Sequence, residues 1–141
     1  MEETDVRAYI AARFEQKVKM KALVPLFAQH NIQVQAHWLD ESVSPTSQLS
    51  DLSPAYCTEQ AQIDLNDIEA CDIFVFFGDA VAKTTRGGKH VELGYALAKG
   101  KRVVVIGPKE NIFHFLYPIV GYLTVQDFLD AEGIQNASVA D

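Results

Sequence analysis

Two short runs of apolar residues enclose a glycine-rich turn and a helix, and this arrangement restricts the fold more than any other feature of the chain. Residues 72–77 read Asp-Ile-Phe-Val-Phe-Phe and residues 102–106 read Arg-Val-Val-Val-Ile. Apolar runs of this length are typical of strands that are buried on both faces of a parallel sheet. The segment between them, residues 86–96, begins with Arg-Gly-Gly-Lys and continues as a helix. Such a unit places its turn at the carboxyl edge of an α/β sheet, where open sheets of this kind bind ligands.

The same alternation of strands and helices extends over the whole chain. Strands are predicted at residues 6–12, 32–36, 72–77, 102–106 and 119–123, and helices at 15–30, 57–70, 88–99, 111–116 and 125–131. Alternation of this kind predicts an α/β domain with a five-stranded parallel sheet and helices on both faces. We expect one domain over residues 1–141, in which residues 134–141 form a flexible tail.

Composition excludes several classes of function. The formal net charge is -7, which argues against binding to nucleic acid polymers, since such proteins present a basic face. No apolar run approaches the roughly 18–20 residues of a membrane span, and the acidic start of the chain does not resemble a signal peptide. Cys57 and Cys71 are expected to be reduced thiols in the cytoplasm, although a single disulfide is the alternative.

Carboxylates near the turn are the candidates for catalysis. Glu92 falls in the first turns of the central helix, where the helix dipole favours an ionised carboxylate by roughly 0.3–1 kcal/mol. An ionised carboxylate can act as a nucleophile, but acidic residues are also common at helix starts. Asp64 lies beside the apolar stripe of the second helix and is a candidate acid for a leaving group, with Asp67 as its rival. Tyr9, on the first strand, either hydrogen-bonds the nucleophile or is a packed aromatic. The carboxylates at the strand ends are further candidates, namely Asp72 and Asp79.

Other residues at the same edge are candidates for substrate binding. Arg86, Gly87 and Gly88, followed by Lys89, predict either an anion-binding helix start with two cations or a simple tight turn. Each remaining candidate has a functional and a structural interpretation. Arg13 binds the substrate or is a surface cation, Trp38 stacks on a base or covers the core, and Asn111 and His114 contact the ligand or have local roles. His90 and His114 have no spaced partner that would predict a metal site, and we expect no cofactor.

A set of segments, in order along the chain, resembles the nucleoside 2-deoxyribosyltransferase-like family, which also contains the 2'-deoxynucleoside 5'-phosphate N-hydrolases. The most specific segment is residues 87–98, which read Gly-Gly-Lys-His-Val-Glu-Leu-Gly-Tyr-Ala-Leu-Ala. The other matching segments are residues 8–14, 37–40, 63–68, 70–72 and 107–116.

This resemblance implies a flavodoxin-like, or Rossmann-like, fold and a double-displacement reaction at the N-glycosidic bond of a nucleoside or nucleoside 5'-monophosphate. It implies that Glu92 is the nucleophile of a glycosyl–enzyme intermediate, that Asp64 handles the proton of the leaving base, and that Tyr9 orients the nucleophile. It also implies a homodimer or higher homo-oligomer, in which the segment from Asn111 to His114 is the candidate for completing a neighbouring site.

Two departures from the family pattern leave the acceptor and the substrate open. The loop before the nucleophile lacks the second acidic residue that the transferases present, and Arg-Gly-Gly-Lys replaces the serine-rich phosphate segment of the nucleotide hydrolases. The cations favour a nucleotide, whereas water or a second base can be the acceptor. The alternatives are a nucleotide-binding or sensing module without turnover and a phosphate-site enzyme of the lysine-decarboxylase-like type. The usual Pro-Gly-Gly-x-Gly-Thr pattern of the latter is absent.

Overall fold

The computed structural model describes residues 5–40, 49–79 and 87–133. The strands are β1 (Val6–Ala11), β2 (Ile32–Val34), β3 (Ile73–Phe77), β4 (Arg102–Ile106) and β5 (Val120–Tyr122). The helices are α1 (Lys17–Ala28), α2 (Pro54–Ala70), α3 (Gly88–Ala98) and α4 (Val125–Glu132). Short 3-10 helices occupy Phe14–Gln16, His37–Asp40, Leu49–Asp51 and Ile112–Phe115.

The five strands form one sheet in the order β2-β1-β3-β4-β5, and every neighbouring pair is parallel. This is the flavodoxin-like order, so the predicted fold class is confirmed. The chain moves outward from β1 to β2 and then crosses back to β3, which makes the β1–β3 boundary the point where the strand order reverses. Tyr9 of β1 is in register with Phe74 of β3 at this boundary. A ligand crevice is therefore expected at the carboxyl ends of β1 and β3.

Helices cover the sheet on both faces. All five residues of β3 are buried, which requires packing against both sides of the strand because alternate side chains point to opposite faces. Phe27 of α1 and Phe128 of α4 lie 5.5 Å apart between ring centroids, which places these two helices on one face. The helices α2 and α3 contact each other and cover the other face. The sheet thus lies in the middle of the core.

The observed boundaries differ from the predicted ones by a few residues, for local reasons. α2 begins at Pro54, three residues before its predicted start at 57. The Ser53 side chain accepts a hydrogen bond from the Tyr56 backbone N–H at 3.1 Å, and proline is well suited to the first helical position. The predicted helix at 111–116 is the 3-10 helix Ile112–Phe115, which Asn111 caps through the Phe113 backbone N–H. The predicted tail at 134–141 lies outside the described residues.

Candidate active site

Three elements bring the predicted catalytic residues together at the β1–β3 boundary. Tyr9 projects from β1, Asp64 from α2 and Glu92 from α3. The Tyr9 hydroxyl donates a hydrogen bond to Glu92 Oε2 at 3.0 Å. The Tyr9 ring is fully buried and stacks on Phe74, with 5.6 Å between ring centroids. The strand therefore holds the hydroxyl against the Glu92 carboxylate, and the role of Tyr9 in orienting a nucleophile stays a prediction.

Glu92 lies in a different electrostatic environment from the one expected of a helix start. It is the fifth residue of α3, which begins at Gly88, so it lies beyond the first turn, where the dipole acts most strongly. Burial and the charge of Asp64 raise the pKa of Glu92 to about 8, while the hydrogen bond from Tyr9 acts in the opposite direction. The expectation that the helix dipole keeps this carboxylate ionised is therefore wrong for the protein without substrate at neutral pH.

The tyrosine remains a hydrogen-bond donor over the whole physiological pH range. Burial, followed by the negative charges of Glu92 and Asp64, raises the pKa of Tyr9 well above its usual value. The hydroxyl thus keeps its proton and stabilises the ionised form of Glu92 whenever that form is present. A neutral donor of this kind orients and stabilises a carboxylate without exchanging a proton with it.

The structure separates Asp64 from its rival Asp67. Asp67 is buried and accepts two hydrogen bonds from His37, one from the backbone N–H at 2.7 Å and one from Nδ1 at 2.8 Å. These bonds attach the 3-10 helix His37–Asp40 to α2, so Asp67 has a structural partner. The charge of Asp64 raises the pKa of both Glu92 and Tyr9, whereas the charge of Asp67 contributes to that of Tyr9, so Asp64 remains the candidate acid.

The other two candidate carboxylates are also accounted for. Asp72 accepts a hydrogen bond from the Arg7 backbone N–H at 2.9 Å. It precedes β3 and so lies at the amino edge of the sheet, away from the crevice. Asp79, just after β3, accepts hydrogen bonds from Arg13 Nε at 3.0 Å and from Lys89 Nζ at 2.9 Å. It therefore forms ion pairs at the carboxyl edge.

The predicted cations of this edge are largely neutralised within the protein. Arg13 is mostly buried and forms ion pairs with Asp79 and, at 3.5 Å, with Glu15. The Lys89 side chain is only 3% exposed and lies between Asp79 and Glu110. Lys89 is therefore neither a ligand-facing cation nor a solvated one, because its charge is paired inside the protein. The same sheet edge supplies two carboxylates, Asp79 and Glu110, and these neutralise the charge of Lys89.

The glycines of the turn have room around them. Gly87 caps α3 with φ +83°, a left-handed conformation that favours glycine. Apart from the adjacent backbone, no atom of the described residues lies within 4 Å of where a Cβ atom would stand at Gly87 or Gly88, so on that side a ligand can approach the backbone closely. Arg86 lies outside the described residues, and its role stays a prediction.

Trp38 has the geometry of a packed side chain. The ring is 8% exposed, and Nε1 donates a hydrogen bond to the Ile10 carbonyl oxygen at 2.8 Å. The Phe14 ring lies 6.0 Å away between centroids. These contacts support the interpretation that Trp38 covers the core and attaches its segment to β1. Stacking on a base stays a prediction.

Asn111 and His114 both lie near the start of α3. Asn111 is exposed, and its Nδ2 donates to His90 Nδ1 at 3.3 Å. His114 is fully buried within its own chain and accepts a hydrogen bond at Nδ1 from the Glu110 backbone N–H at 3.0 Å. Its ring packs edge-on against the Phe76 ring, with 4.5 Å between the ring centroids. Of the two, only Asn111 is accessible to a neighbouring subunit, so the proposed crossing role does not fit His114.

Glu110 also belongs to the carboxyl edge of the sheet, although the sequence did not single it out. Its carboxylate contacts Lys89 Nζ at 2.8 Å, His90 Nε2 at 3.3 Å and the Asp79 backbone N–H at 2.7 Å. The available signal was its position just after a buried strand, at the same sheet edge as the glycine-rich turn. Within residues 5–40, 49–79 and 87–133, no group of three or more His, Cys, Asp or Glu side chains is arranged to hold a metal ion. No helix in these ranges is long and apolar enough to cross a membrane.

Solved structures match this chain over nearly all of its length. A CMP N-glycosidase from Clostridium botulinum is 21% identical in sequence and gives a TM-score of 0.56, with 89% of this chain and 96% of the glycosidase covered. A 2-deoxyribosyltransferase from the psychrotolerant bacterium Bacillus psychrosaccharolyticus is 19% identical and gives a TM-score of 0.62, with 94% and 95% covered. A conserved protein from Enterococcus faecalis V583 is 18% identical and gives a TM-score of 0.60, with 90% and 96% covered.

No protein-family model matches the chain, and no curated protein matches it in sequence. The likeness is therefore one of structure, at sequence identities near 20%. The chain has the fold of a 2-deoxyribosyltransferase and a CMP N-glycosidase, and the fold implied by the resemblance to the nucleoside 2-deoxyribosyltransferase-like family is confirmed.

Proposed function

We propose that this protein cleaves or transfers the N-glycosidic bond of a nucleoside or nucleoside 5'-monophosphate, with Glu92 as the nucleophile. The observation that carries the proposal is the Tyr9–Glu92 hydrogen bond of 3.0 Å, formed beside Asp64 at the carboxyl ends of β1 and β3. Two carboxyl groups, one as nucleophile and one as acid, are the minimum equipment for glycosyl transfer with a covalent intermediate. The structural neighbours that act on N-glycosides support the same reaction class.

In the first step, a Glu92 carboxylate oxygen attacks C1' of the sugar. The new C1'–O ester bond forms as the C1'–N bond breaks, and the electron pair of the broken bond goes to the base nitrogen. Asp64 delivers a proton to the departing base, so the base leaves neutral. Tyr9 holds the attacking carboxylate in place and stabilises its charge before the attack.

In the second step, the acceptor displaces Glu92. Water or a second base attacks C1', the ester bond breaks, and Glu92 leaves as a carboxylate. Asp64 takes up the proton that the acceptor loses and is ready for a further cycle. Water as the acceptor makes the protein a hydrolase, and a base as the acceptor makes it a transferase.

The coupling between Glu92 and Asp64 suits this division of labour. The charge of Asp64 raises the pKa of Glu92, so full ionisation of both groups is unfavourable. The repulsion disappears if Asp64 carries a proton, and Glu92 can then ionise more easily. The state with an ionised nucleophile and a protonated acid is the one that the reaction needs.

A preference for a phosphate-bearing substrate over a neutral nucleoside requires cations that are not already paired with carboxylates. Arg13 and Lys89 are paired with carboxylates, so they provide less attraction for a phosphate than the sequence alone indicated. A preference for a nucleotide therefore depends mainly on Arg86 and on the amino end of α3. If Arg86→Ala leaves the KM for deoxynucleoside monophosphates unchanged, the preference for nucleotides is rejected.

We also propose that two copies of the chain associate through an apolar surface beside the site. Residues 111–124 carry no charged side chain, whereas the chain as a whole has a net charge of -7. Several large apolar side chains of this segment are strongly exposed, namely Ile112, Phe113, Phe115, Leu116 and Tyr117. Exposed apolar patches of this kind mark association sites, and two like-charged copies avoid repulsion by meeting there. Sedimentation tests this: we expect the wild type to be at least dimeric and Phe113→Glu to dissociate. A monomeric wild-type protein contradicts the proposal.

A reducing compartment suits the chemistry of the cysteines. Cys57 and Cys71 are both free thiols, and burial raises the pKa of Cys71 to about 11, which makes that thiol unreactive. We propose the cytoplasm as the location of the protein. Fractionation of cells that express the full chain would check this directly.

Incubation with a panel of nucleosides, deoxynucleosides and their 5'-monophosphates, followed by chromatography for free base, tests the reaction class. We expect release of base from at least one member, and little or none with Glu92→Ala. Addition of a second base then separates a transferase from a hydrolase. If the protein binds a nucleotide but releases no base from any member, it is a binding module and the proposed activity is wrong.

A further inference from the structure

We propose that Lys89 is a positioning residue that fixes Glu92 relative to Tyr9 and to the segment after β4. The proposal rests on the reaction proposed above. The sequence left open whether Lys89 faces a ligand or solvent, and the structure buries its side chain at 3% exposure. A charged group is rarely buried to this extent unless it is paired, so the contacts of Lys89 show what it does.

The ammonium group of Lys89 has an acceptor for each of its three protons. It donates to the Phe77 carbonyl oxygen at 3.1 Å, to Asp79 Oδ2 at 2.9 Å and to Glu110 Oε2 at 2.8 Å. It also lies 4.7 Å from the centroid of the Phe76 ring. These partners belong to the end of β3 and to the segment after β4, whereas Lys89 itself lies in the first turn of α3.

Lys89 and Glu92 together attach α3 to the two central strands. They are three residues apart and therefore project from neighbouring positions on one side of the helix. Lys89 bonds the end of β3, and Glu92 bonds Tyr9 of β1. Because β1 and β3 are adjacent strands, these two attachments set both the height and the rotation of the helix over the crevice.

The second carboxylate extends this attachment to the segment after β4. Glu110 accepts from Lys89 and from the Asp79 backbone N–H, and its own backbone N–H donates to His114. Asn111 follows directly and bonds His90 of α3. One ammonium group thus holds the nucleophile helix, the end of β3 and the predicted substrate-binding segment in one arrangement.

Loss of this cation would leave Asp79 with Arg13 and Glu110 with His90, but it would remove the positive charge between the two carboxylates in a mostly buried place. Asp79 and Glu110 are 17% and 16% exposed at the side chain, and both approach the same ammonium. Without it, their repulsion would separate the end of β3 from the segment after β4. The start of α3 would then move relative to Tyr9, and a displacement of about 1 Å at a reacting group can reduce a rate by roughly 100-fold.

Lys89→Met tests the proposal, because methionine keeps much of the length of the side chain and removes its charge. Lys99→Met is the matched control, since Lys99 directly follows the last residue of the same helix and forms an exposed ion pair with Glu69. Circular dichroism and thermal unfolding first establish the temperature at which each variant is folded. At a temperature where both variants are folded, we expect kcat of Lys89→Met to fall by roughly 100-fold, with KM changed by less than about 3-fold. Lys99→Met should match the wild type.

Glu110→Gln keeps the test decisive if Lys89→Met does not fold. Glutamine keeps the shape and an acceptor oxygen, so we expect a folded protein whose kcat falls in the same direction with a similar KM. A folded Lys89→Met or Glu110→Gln with wild-type kcat overturns the positioning role, as does an equal loss in Lys99→Met. Glu92→Gln, assayed beside them, tests the reaction itself: wild-type base release by that variant rejects the nucleophile and leaves the network variants to be judged separately.

Discussion

Replacement of Tyr9 by phenylalanine removes one oxygen atom from the proposed site and leaves the packing around it intact. The ring stacks on Phe74, and phenylalanine can make the same contact. The hydrogen bond to Glu92 Oε2 is lost. Tyr9→Phe therefore isolates the effect of one hydroxyl on the ionisation of the nucleophile.

The size of the effect follows from the pKa of Glu92, which is about 8 in the protein without substrate. At pH 7 this leaves roughly one Glu92 in ten ionised. A hydrogen bond to a charged group contributes about 1.5–3 kcal/mol, and 1.36 kcal/mol corresponds to about one pKa unit. Loss of the bond should raise the pKa of Glu92 by about one unit or more, so the ionised fraction at pH 7 falls by about ten-fold or more.

The assay is kcat/KM for base release between pH 6 and 10, because this ratio reports the ionisation of the free enzyme. In the wild type the ratio should fall as pH rises through about 8, because the Glu92–Asp64 pair loses its last proton there and no acid remains for the leaving base. In Tyr9→Phe the ratio at pH 7 should be lower by about ten-fold or more, and its fall should move upward by about one pH unit or more. Tyr95→Phe is the control, because Tyr95 hydrogen-bonds Glu69 on the surface of α3. A Tyr9→Phe profile that falls at the same pH as the wild type, with the same ratio at pH 7, would refute the role given to the hydroxyl.

Three further predictions concern the carboxylates. Asp64→Asn removes the charge that raises the pKa of Glu92, so the residual kcat/KM should rise with pH around a midpoint below 8 and show no fall near 8, while kcat for a poor leaving base falls by about 100-fold or more; an unchanged profile contradicts the coupling. Because the pKa of Glu92 is raised in the folded protein, its contribution to the free energy of unfolding is present below about pH 4.5 and lost as pH rises through about 8. Urea unfolding should therefore show Glu92→Gln to be more stable than the wild type at pH 9, and equal or lower stability would count against this burial argument. For Asp79, burial acts to raise the pKa, but the hydrogen bonds from Lys89 and Arg13 outweigh it, so the pKa is lowered. The stability lost in Asp79→Asn should accordingly be present above the usual aspartate pKa of 3.8 and disappear as pH falls below it, whereas a difference that persists in acid contradicts the ion-pair account.

Local patterns in the sequence were sufficient for the α/β class and its parallel strands, whereas the pairing of Tyr9 with Glu92 was implied by the family resemblance. The apolar runs at β3 and β4 identify buried strands without knowledge of their neighbours, and parallel strands with intervening helices place their carboxyl ends together. Tyr9 and Glu92 are 83 residues apart, yet each occupies a position that the strand and helix assignments bring to the same edge. The topology therefore permits their contact.

Residues whose role depends on a partner elsewhere in the chain were harder to assign. Asp64 and Asp67 lie one helical turn apart and face the same side of α2, so periodicity cannot distinguish them. The hydrogen bonds of His37 to Asp67 make the distinction, and they depend on how the segment after β2 folds back. Lys89 looks like a ligand-facing cation in its local Gly-Gly context, and only the approach of Asp79 and Glu110 reveals its buried position.

The covalent intermediate is the most direct test of the central claim that Glu92 attacks the sugar. The protein is mixed with a deoxynucleoside or deoxynucleoside monophosphate that releases base, quenched in acid during turnover, and analysed by intact-protein mass spectrometry and peptide mapping. The account predicts a mass increase of one glycosyl group located on Glu92. It also predicts no such adduct on Glu92→Gln, whose base release should be lower by at least ~1000-fold. An adduct on another residue, or base release by Glu92→Gln at the wild-type rate, would contradict the account.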